Sequence, residues 1–221
     1  MKAAVSWSGG KDACLAWIRA REHGATVATF MTMCDEDGIS KSHALPAESL
    51  QAQAQAAGVA WRDVPVPPRG YAAAFDAALA ALRAEDHTHL VFGDIDLQAH
   101  RDWLEPACRR AGLEPWFPLW GRPRALLARE VVDAGIRARL VCVDTRWLDE
   151  RFAGAEYGTA LLAQLPDGVC PVGEDGEFHT FVHDAPGFAA PLPVRTGPRR
   201  RVASQPPYTA TTFVLATPEW A

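Results

Sequence analysis

The sequence predicts an α/β protein: a doubly wound parallel sheet, Rossmann-like, with a small C-terminal α+β portion. Short apolar runs alternate with amphipathic segments of helical length over the first two thirds of the chain. Several of those segments stop at a glycine, as at Gly24, Gly58, Gly112 and Gly135. The bend Ser8-Gly9-Gly10 follows the first apolar run directly and opens a helix.

The first strand is read at Ala3 to Trp7 and the first helix at Asp12 to Glu22, with Cys14, Trp17 and Ile18 on one face. Val27 to Met33 is the second strand. Pro46 opens a helix that Gly58 ends, the proline-early, glycine-late pattern. Trp61 to Val64 is a third strand, followed by the loop Pro65-Val66-Pro67-Pro68 and a helix at Tyr71 to Ala84. Leu90-Val91-Phe92 is a buried strand ending at Gly93-Asp94. Helices at Gln98 to Ala111 and Arg124 to Ala134 lead to Leu140 to Val143, read as the last strand of the parallel series. Residues 1–144 are thus expected to form a nucleotide-binding domain and 145–221 a smaller substrate-binding portion. That portion reads as a short helix near Glu156 to Leu165 and strand-like pieces at Phe178 to Val182, Val194 and Thr211 to Leu215.

With 48% hydrophobic and 22% charged residues, the 221-residue chain can bury a sizeable core. A net charge of −5 and a pI near 5.8 argue against broad contact with a phosphate backbone, so nucleic acid is not an expected partner. Arg199 to Arg201 accordingly read as a solvated turn. The five cysteines are odd in number and never spaced as C-x-x-C, which suits reduced thiols. No apolar leader forms before Gly9, and no run reaches the roughly 18 apolar residues of a membrane span. The expectation is a soluble, cytoplasmic protein with no membrane partner, for which a homodimer is one open assembly.

The strongest local signal is Ser8-Gly9-Gly10-Lys11-Asp12. Two glycines allow a sharp bend that brings backbone N–H groups close to a ligand, and the helix N-terminus favours an anion there. Ser8 adds a hydroxyl and Lys11 a positive charge. The kinase-type phosphate loop would need glycine at Val5 and Ser or Thr at Asp12. Asp12 instead calls for a divalent cation between it and the phosphates, which suggests a cradle for pyrophosphate with magnesium.

Ser-Gly-Gly-Lys-Asp after the first strand resembles the PP-loop of the ATP pyrophosphatases, the adenine-nucleotide α-hydrolase-like superfamily. Ala13 stands where the usual loop ends in serine. Gly93-Asp94-Ile95, Pro118-Leu119-Trp120 and Gly173-Glu174-Asp175-Gly176-Glu177-Phe178-His179-Thr180 extend the likeness to the diphthine–ammonia ligase family, over about Val5 to Val182. The resemblance implies ATP and Mg2+ as cofactors and a carboxylate-bearing substrate that is adenylated and then amidated by ammonia. It also implies a bacterial-type branch, some of whose members look linked to cobalamin salvage and a different amide or amine substrate. His179 stands where the family motif usually has an acid, which changes the charge of the acceptor pocket.

The candidate site residues follow. Ser8, Gly9, Gly10, Lys11, Asp12 and Met33 are expected to bind ATP, with Lys11, Asp12, Asp94, Glu174 and Glu177 catalytic. Asp12 and Asp94 are the magnesium candidates; Asp94 alternatively serves only as a helix N-terminal acid. Ligands of open α/β sheets sit beyond the carboxyl ends of the strands, where Ser8, Met33 and Asp94 all fall. His43, Arg101, Glu174, Glu177 and His179 are the substrate candidates. Glu174 and Glu177 flank an Asp-Gly turn, so their carboxylates either converge on one ligand or sit on an exposed hairpin. His43 and His179 are read as acid–base groups or structural histidines, and Arg101 as a ligand cation or a surface salt bridge. Trp116, Trp120 and Trp147 are read as core or pocket walls. Two readings compete with the amide-forming ligase. One is a PP-loop tRNA-modifying or sulfur-transfer enzyme using Cys34 or Cys170; the other is an ATP-binding module without turnover.

Overall fold

The computed structural model describes residues 1–204 and 210–221. Strands β1 (Lys2–Ser6), β2 (Thr26–Cys34), β3 (Ala60–Pro65), β4 (His89–Val91) and β5 (Glu114–Trp116) form one parallel sheet in the order β3-β2-β1-β4-β5. Between them run α1 (Lys11–Glu22), α2 (Ala47–Ala57), α3 (Tyr71–Ala84) and α4 (Gln98–Arg110). Strand order reverses direction between β1 and β4, so the loops after these two strands face each other at the switch point, where open sheets bind ligands.

Side-chain alternation along each strand divides the core in two. Ala3, Val5, Phe30 and Val91 point into a core shared with α1, α2 and α5 (Arg124–Asp133). Ala4, Met31, Leu90 and Phe92 point into a second core under α3 and α4, with Phe75, Leu79 and Cys108. A near-continuous run of buried residues on α1 follows from its position, because it is covered on both sides. One side meets the parallel sheet and the other meets β8 (Phe178–Asp184).

The second sheet is antiparallel. Its central strand is β6 (Arg137–Asp144), paired with β8, with β7 (Glu156–Tyr157) and with β11 (Thr212–Leu215), which in turn pairs with β10 (Arg200–Ala203). The expected fifth parallel strand at Leu140 to Val143 therefore belongs to this sheet. The parallel sheet ends instead at β5, a three-residue strand missed by the sequence reading because Pro115 lies at its centre. A proline has no N–H to offer a further ladder, so β5 suits an edge. The expected helix near Glu156 shrinks to α6 (Thr159–Leu162) behind β7. The arginine-rich turn is strand β10, with Arg201 paired to Glu150 and Arg199 bonded to the carbonyls of Ala153 and Arg151. Strands β9 (Val194–Thr196) and β12 (Pro218–Trp220) pair separately. Among the described residues no helix is long and apolar enough to cross a membrane.

Candidate functional site

A cleft of about 760 Å³ opens at the switch point. The loop after β1 supplies Ser8, Lys11 and Asp12 to its wall, β2 supplies Met31, Thr32 and Met33, and the loop after β4 supplies Gly93 and Asp94. The segment before α2 contributes His43, and the C-terminal portion contributes Val172, Glu174, His179 and Thr180.

The bend is held from both sheets. Gly9 has φ +80°, and a Cβ there would stand 2.6 Å from Leu50 Cδ2. The Gly9 carbonyl accepts from Val182 N–H of β8 at 2.9 Å and from Gln53 Nε2 at 3.0 Å. Gln53, fully buried, also donates to the Val182 carbonyl and accepts from Trp7 Nε1. Thr180 Oγ1 accepts from Lys11 N–H at 3.1 Å. The strand of the second sheet thus locks the loop of the first. Gly93 has a separate reason to be glycine: a Cβ would lie 2.7 Å from Ala13 N and 2.8 Å from Asp12 C. The loop after β4 can approach the start of α1 only without a side chain.

Gly10 caps α1, so no side chain covers the first helical amides from that position. Lys11 is 2% exposed, and its ammonium donates to Asp12 Oδ2 at 2.8 Å and to the Val172 carbonyl at 2.5 Å, between the rings of Tyr157 and Phe178. An ammonium has three donors, and these contacts use two. Asp12 Oδ1 is buried with no hydrogen-bond partner. A buried carboxylate oxygen left bare is costly unless something fills the position, so the donor set fits a hard cation with oxygen ligands. Asp94 faces the same cleft, with Oδ1 2.9 Å from His100 Nδ1. That contact holds the His100 imidazolium above its usual range.

The two glutamates part company. Glu174 lines the cleft, and burial together with the charge of Asp12 pushes its carboxyl up to about 7. Glu177 is 1% exposed, and its oxygens accept from the backbone N–H groups of Cys170 (2.7 Å) and Asp175 (3.0 Å). Its carboxylate holds the loop closed and does not converge with Glu174 on a ligand. Loop 170–177 is tied further by Arg124, which bonds Asp175 at 2.6 Å and grips both oxygens of Asp96.

His43 and His179 both line the cleft, stacked at 4.6 Å between centroids. Burial and the nearby charge of Lys11 lower both, His179 to about 4. They are therefore neutral near pH 7, and His43 is held by a fixed hydrogen bond. His43 Nδ1 lies 3.0 Å from the Thr180 carbonyl, so Nδ1 carries the proton and Nε2 keeps its lone pair. Arg101 does not line the cleft. It pairs with Glu105 at 2.5 Å and stacks on Trp120 and Phe117, so its charge is already used. Trp116, Trp120 and Trp147 form no part of the wall. Wall residues that the sequence did not single out include Thr180, Tyr71, Phe75, His100 and Trp103. Only the helical spacing of His100 and Trp103 after Asp94 could have signalled them. All five cysteines are free and buried. Burial and the neighbouring Asp63 push the Cys34 thiol up to about 12, which leaves it a poor nucleophile.

The family described as diphthamide synthase N-terminal domain matches residues 1–115, and its C-terminal domain matches 123–205. The diphthine–ammonia ligase of Rattus norvegicus is 34% identical over 98 residues, which is 42% of this chain and 37% of that protein. The Homo sapiens enzyme of that name is 33% identical over 38% of this chain and 34% of its own length. The match thus spans little more than a third of these relatives. A crystal structure titled as a predicted subunit of tRNA methyltransferase from Methanocaldococcus jannaschii aligns over 84% of this chain and 98% of that one. It does so at 15% identity and a TM-score of 0.48.

Proposed function

The chain belongs to the diphthamide synthase family, and from that premise we propose that it is an ATP-dependent, amide-forming ligase that releases AMP and pyrophosphate. The observation that carries the reading is the bare, buried Asp12 Oδ1 beside Lys11 at a helix N-terminus whose cap residue, Gly10, has no side chain. That is where a triphosphate and its cation would balance each other.

ATP would lie with its phosphates over Ser8 to Asp12 and its base toward Met33. Asp12 and Asp94 would hold magnesium, which supplies charge neutralisation on the phosphate oxygens when bound. The substrate carboxylate attacks the α-phosphorus, the bond to the bridging oxygen breaks, and pyrophosphate leaves. Ammonia then attacks the acyl carbon of the adenylate, AMP departs, and the nitrogen loses a proton. Lys11 and the first amides of α1 stabilise the charge that builds on the phosphates. Glu174, with a carboxyl near neutrality, suits proton transfer at the nitrogen. Neutral His43 and His179 would orient the acceptor. In this division of labour the parallel sheet holds the nucleotide, and the C-terminal portion closes over the acceptor.

The buried thiols count against sulfur transfer. The test is product analysis with ATP, magnesium, ammonium and a panel of carboxylates or cell extract. AMP, pyrophosphate and a product in which one carboxyl has become an amide are expected. ADP and orthophosphate would refute the mechanism, and tight ATP binding with no AMP release would favour a binding module.

A further inference from the structure

Arg124 is the first residue of α5, and the first turn of that helix holds no acid. A cation there meets the positive end of the helix dipole, so the guanidinium needs acids from elsewhere. Two separate loops supply them. Nε and Nη2 grip the two oxygens of Asp96 at 2.7 and 2.9 Å, and Nη1 reaches Asp175 at 2.6 Å. Asp96 lies just past Asp94 in the loop after β4, and Asp175 follows Glu174 in loop 170–177. One planar fork therefore joins the two loops that carry Asp94 and Glu174 into the cleft wall. Its base is rigid, because Leu127, Ala128 and Val131 of α5 are buried in the core that both sheets share. A half-exposed ion pair adds little stability, so the worth of this fork lies in its geometry.

The field in the cleft explains why a tie is needed. Burial raises the Glu174 carboxyl most, then Asp12, with Asp96 and Asp94 adding to it, and Lys11 opposes them. The Lys11 ammonium already donates to Asp12 and to the Val172 carbonyl. His100, facing Glu174 from α4, is bonded to Asp94. Left to these charges, the Glu174 carboxylate would turn outward to water. The chain on either side of it is pinned instead. Lys11 holds Val172 before it, Glu177 accepts the Asp175 N–H after it, and Arg124 holds the Asp175 side chain.

We propose that Arg124 is a positioning residue for Glu174: its fork fixes loop 170–177 against the loop after β4 and so keeps the Glu174 carboxyl inside the cleft. Arg124 lies outside the cleft wall, so it acts through Glu174 and not on the reactants. The proposal rests on the ligase reading for what Glu174 then does, which is proton transfer at the incoming nitrogen.

The Glu174 carboxyl is followed by its carbon-13 resonance in nucleotide-free protein, assigned through its loss in Glu174→Gln. Arg124→Lys keeps the charge and loses the fork, while Asp175→Ala cuts the tie on the loop side alone. Thermal melts confirm that both variants fold. In the parent the carboxyl should titrate near 7. In each variant the midpoint should move most of the way to 4.5, as the side chain leaves the company of Lys11, Asp12, Asp94, Asp96 and His100. A midpoint unmoved in either variant overturns the proposal, and so does a parent that already titrates near 4.5. In the product assay Arg124→Lys should lower kcat for amide formation about tenfold with the KM for ATP unchanged, but less than about twofold in the Glu174→Gln background. An undiminished loss in that background also overturns it, since Arg124 would then act by another route. The titration needs no turnover. A failed product assay therefore removes the ligase reading and leaves the tie, whereas an unmoved titration removes the tie and leaves the ligase chemistry.

Discussion

The parallel and antiparallel sheets divide the site unequally. The parallel sheet brings the charges, Lys11, Asp12 and Asp94, on loops at its switch point. The antiparallel sheet brings mostly main-chain and neutral groups, namely the Val172 carbonyl, Thr180, Val182 N–H and neutral His179, and it fixes where those charges stand. A phosphate loop in this chain is therefore a product of two sheets: one makes the bend and the other holds it. The shared core says the same, since Val5, Trp17 and Leu15 pack in one cluster with Phe178, Phe181 and Val182.

The largest effect should come from cutting that shared core. Phe181→Ala removes a ring that is 1% exposed and should cost about 3–5 kcal/mol. Leu79→Ala, in the core under α3 and α4, should cost about 2–5 kcal/mol. The comparison is sharpened by nucleotide titration of the folded variants. Phe181→Ala should weaken ATP binding as well as lower Tm, whereas Leu79→Ala should lower Tm alone. Equal effects on binding would mean that β8 does not position the loop.

Next in size is the charge itself. Lys11→Met should lower AMP formation by about 10²–10³-fold, the usual cost of one preorganised donor to a developing negative charge. The part-buried Asp12 carboxylate would also lose its 2.8 Å partner, so magnesium dependence should steepen. Steady-state rates against magnesium concentration check both. Thr180→Val is the counterpart from the other sheet. It strands the Lys11 N–H and should cost about 1–3 kcal/mol, read in a denaturant midpoint. A neutral outcome would mean that the bonds of Val182 and Gln53 to the Gly9 carbonyl hold the loop without it.

What was legible in the sequence divides along the same line. The parallel sheet was readable because each of its longer elements carries its own local signal: an apolar run in β1, a capping glycine after α2, the Ser8 to Asp12 run. Local signals failed where pairing decides structure. Leu140 to Val143 looks the same in a parallel or an antiparallel sheet, and only its partners β8 and β11 distinguish them. Glu177 resembles Glu174 as a letter, yet two backbone N–H groups claim one and the cleft receives the other. Arg101 could not be discounted without seeing Glu105 beneath it and Trp120 beside it. Tyr71 and Trp103 meet only because α3 and α4 cover the same face of the sheet.

The smallest predicted effect isolates the acid on the C-terminal side. Glu174 has its carboxyl raised from 4.5 to about 7. Between those values the folded chain keeps a proton that the unfolded chain has released, so this group makes stability fall as pH rises through the window. Glu174→Gln removes the penalty: its Tm should match the parent below pH 4.5 and exceed it at pH 8 by roughly 2 °C, after allowing for solvent screening of a part-exposed group. His43 and His179 run the opposite way. Their depressed values mean that the unfolded chain takes protons first, so their contribution is present above pH 6.5 and is lost as pH falls toward about 4. A His179→Gln chain should therefore lose less Tm than the parent on acidification, whereas Glu174→Gln gains only on the alkaline side. A Glu174→Gln difference that stays flat from pH 4 to pH 8 would place that carboxylate in solvent. Its part in the cleft would then fall to the loop charges of the parallel sheet.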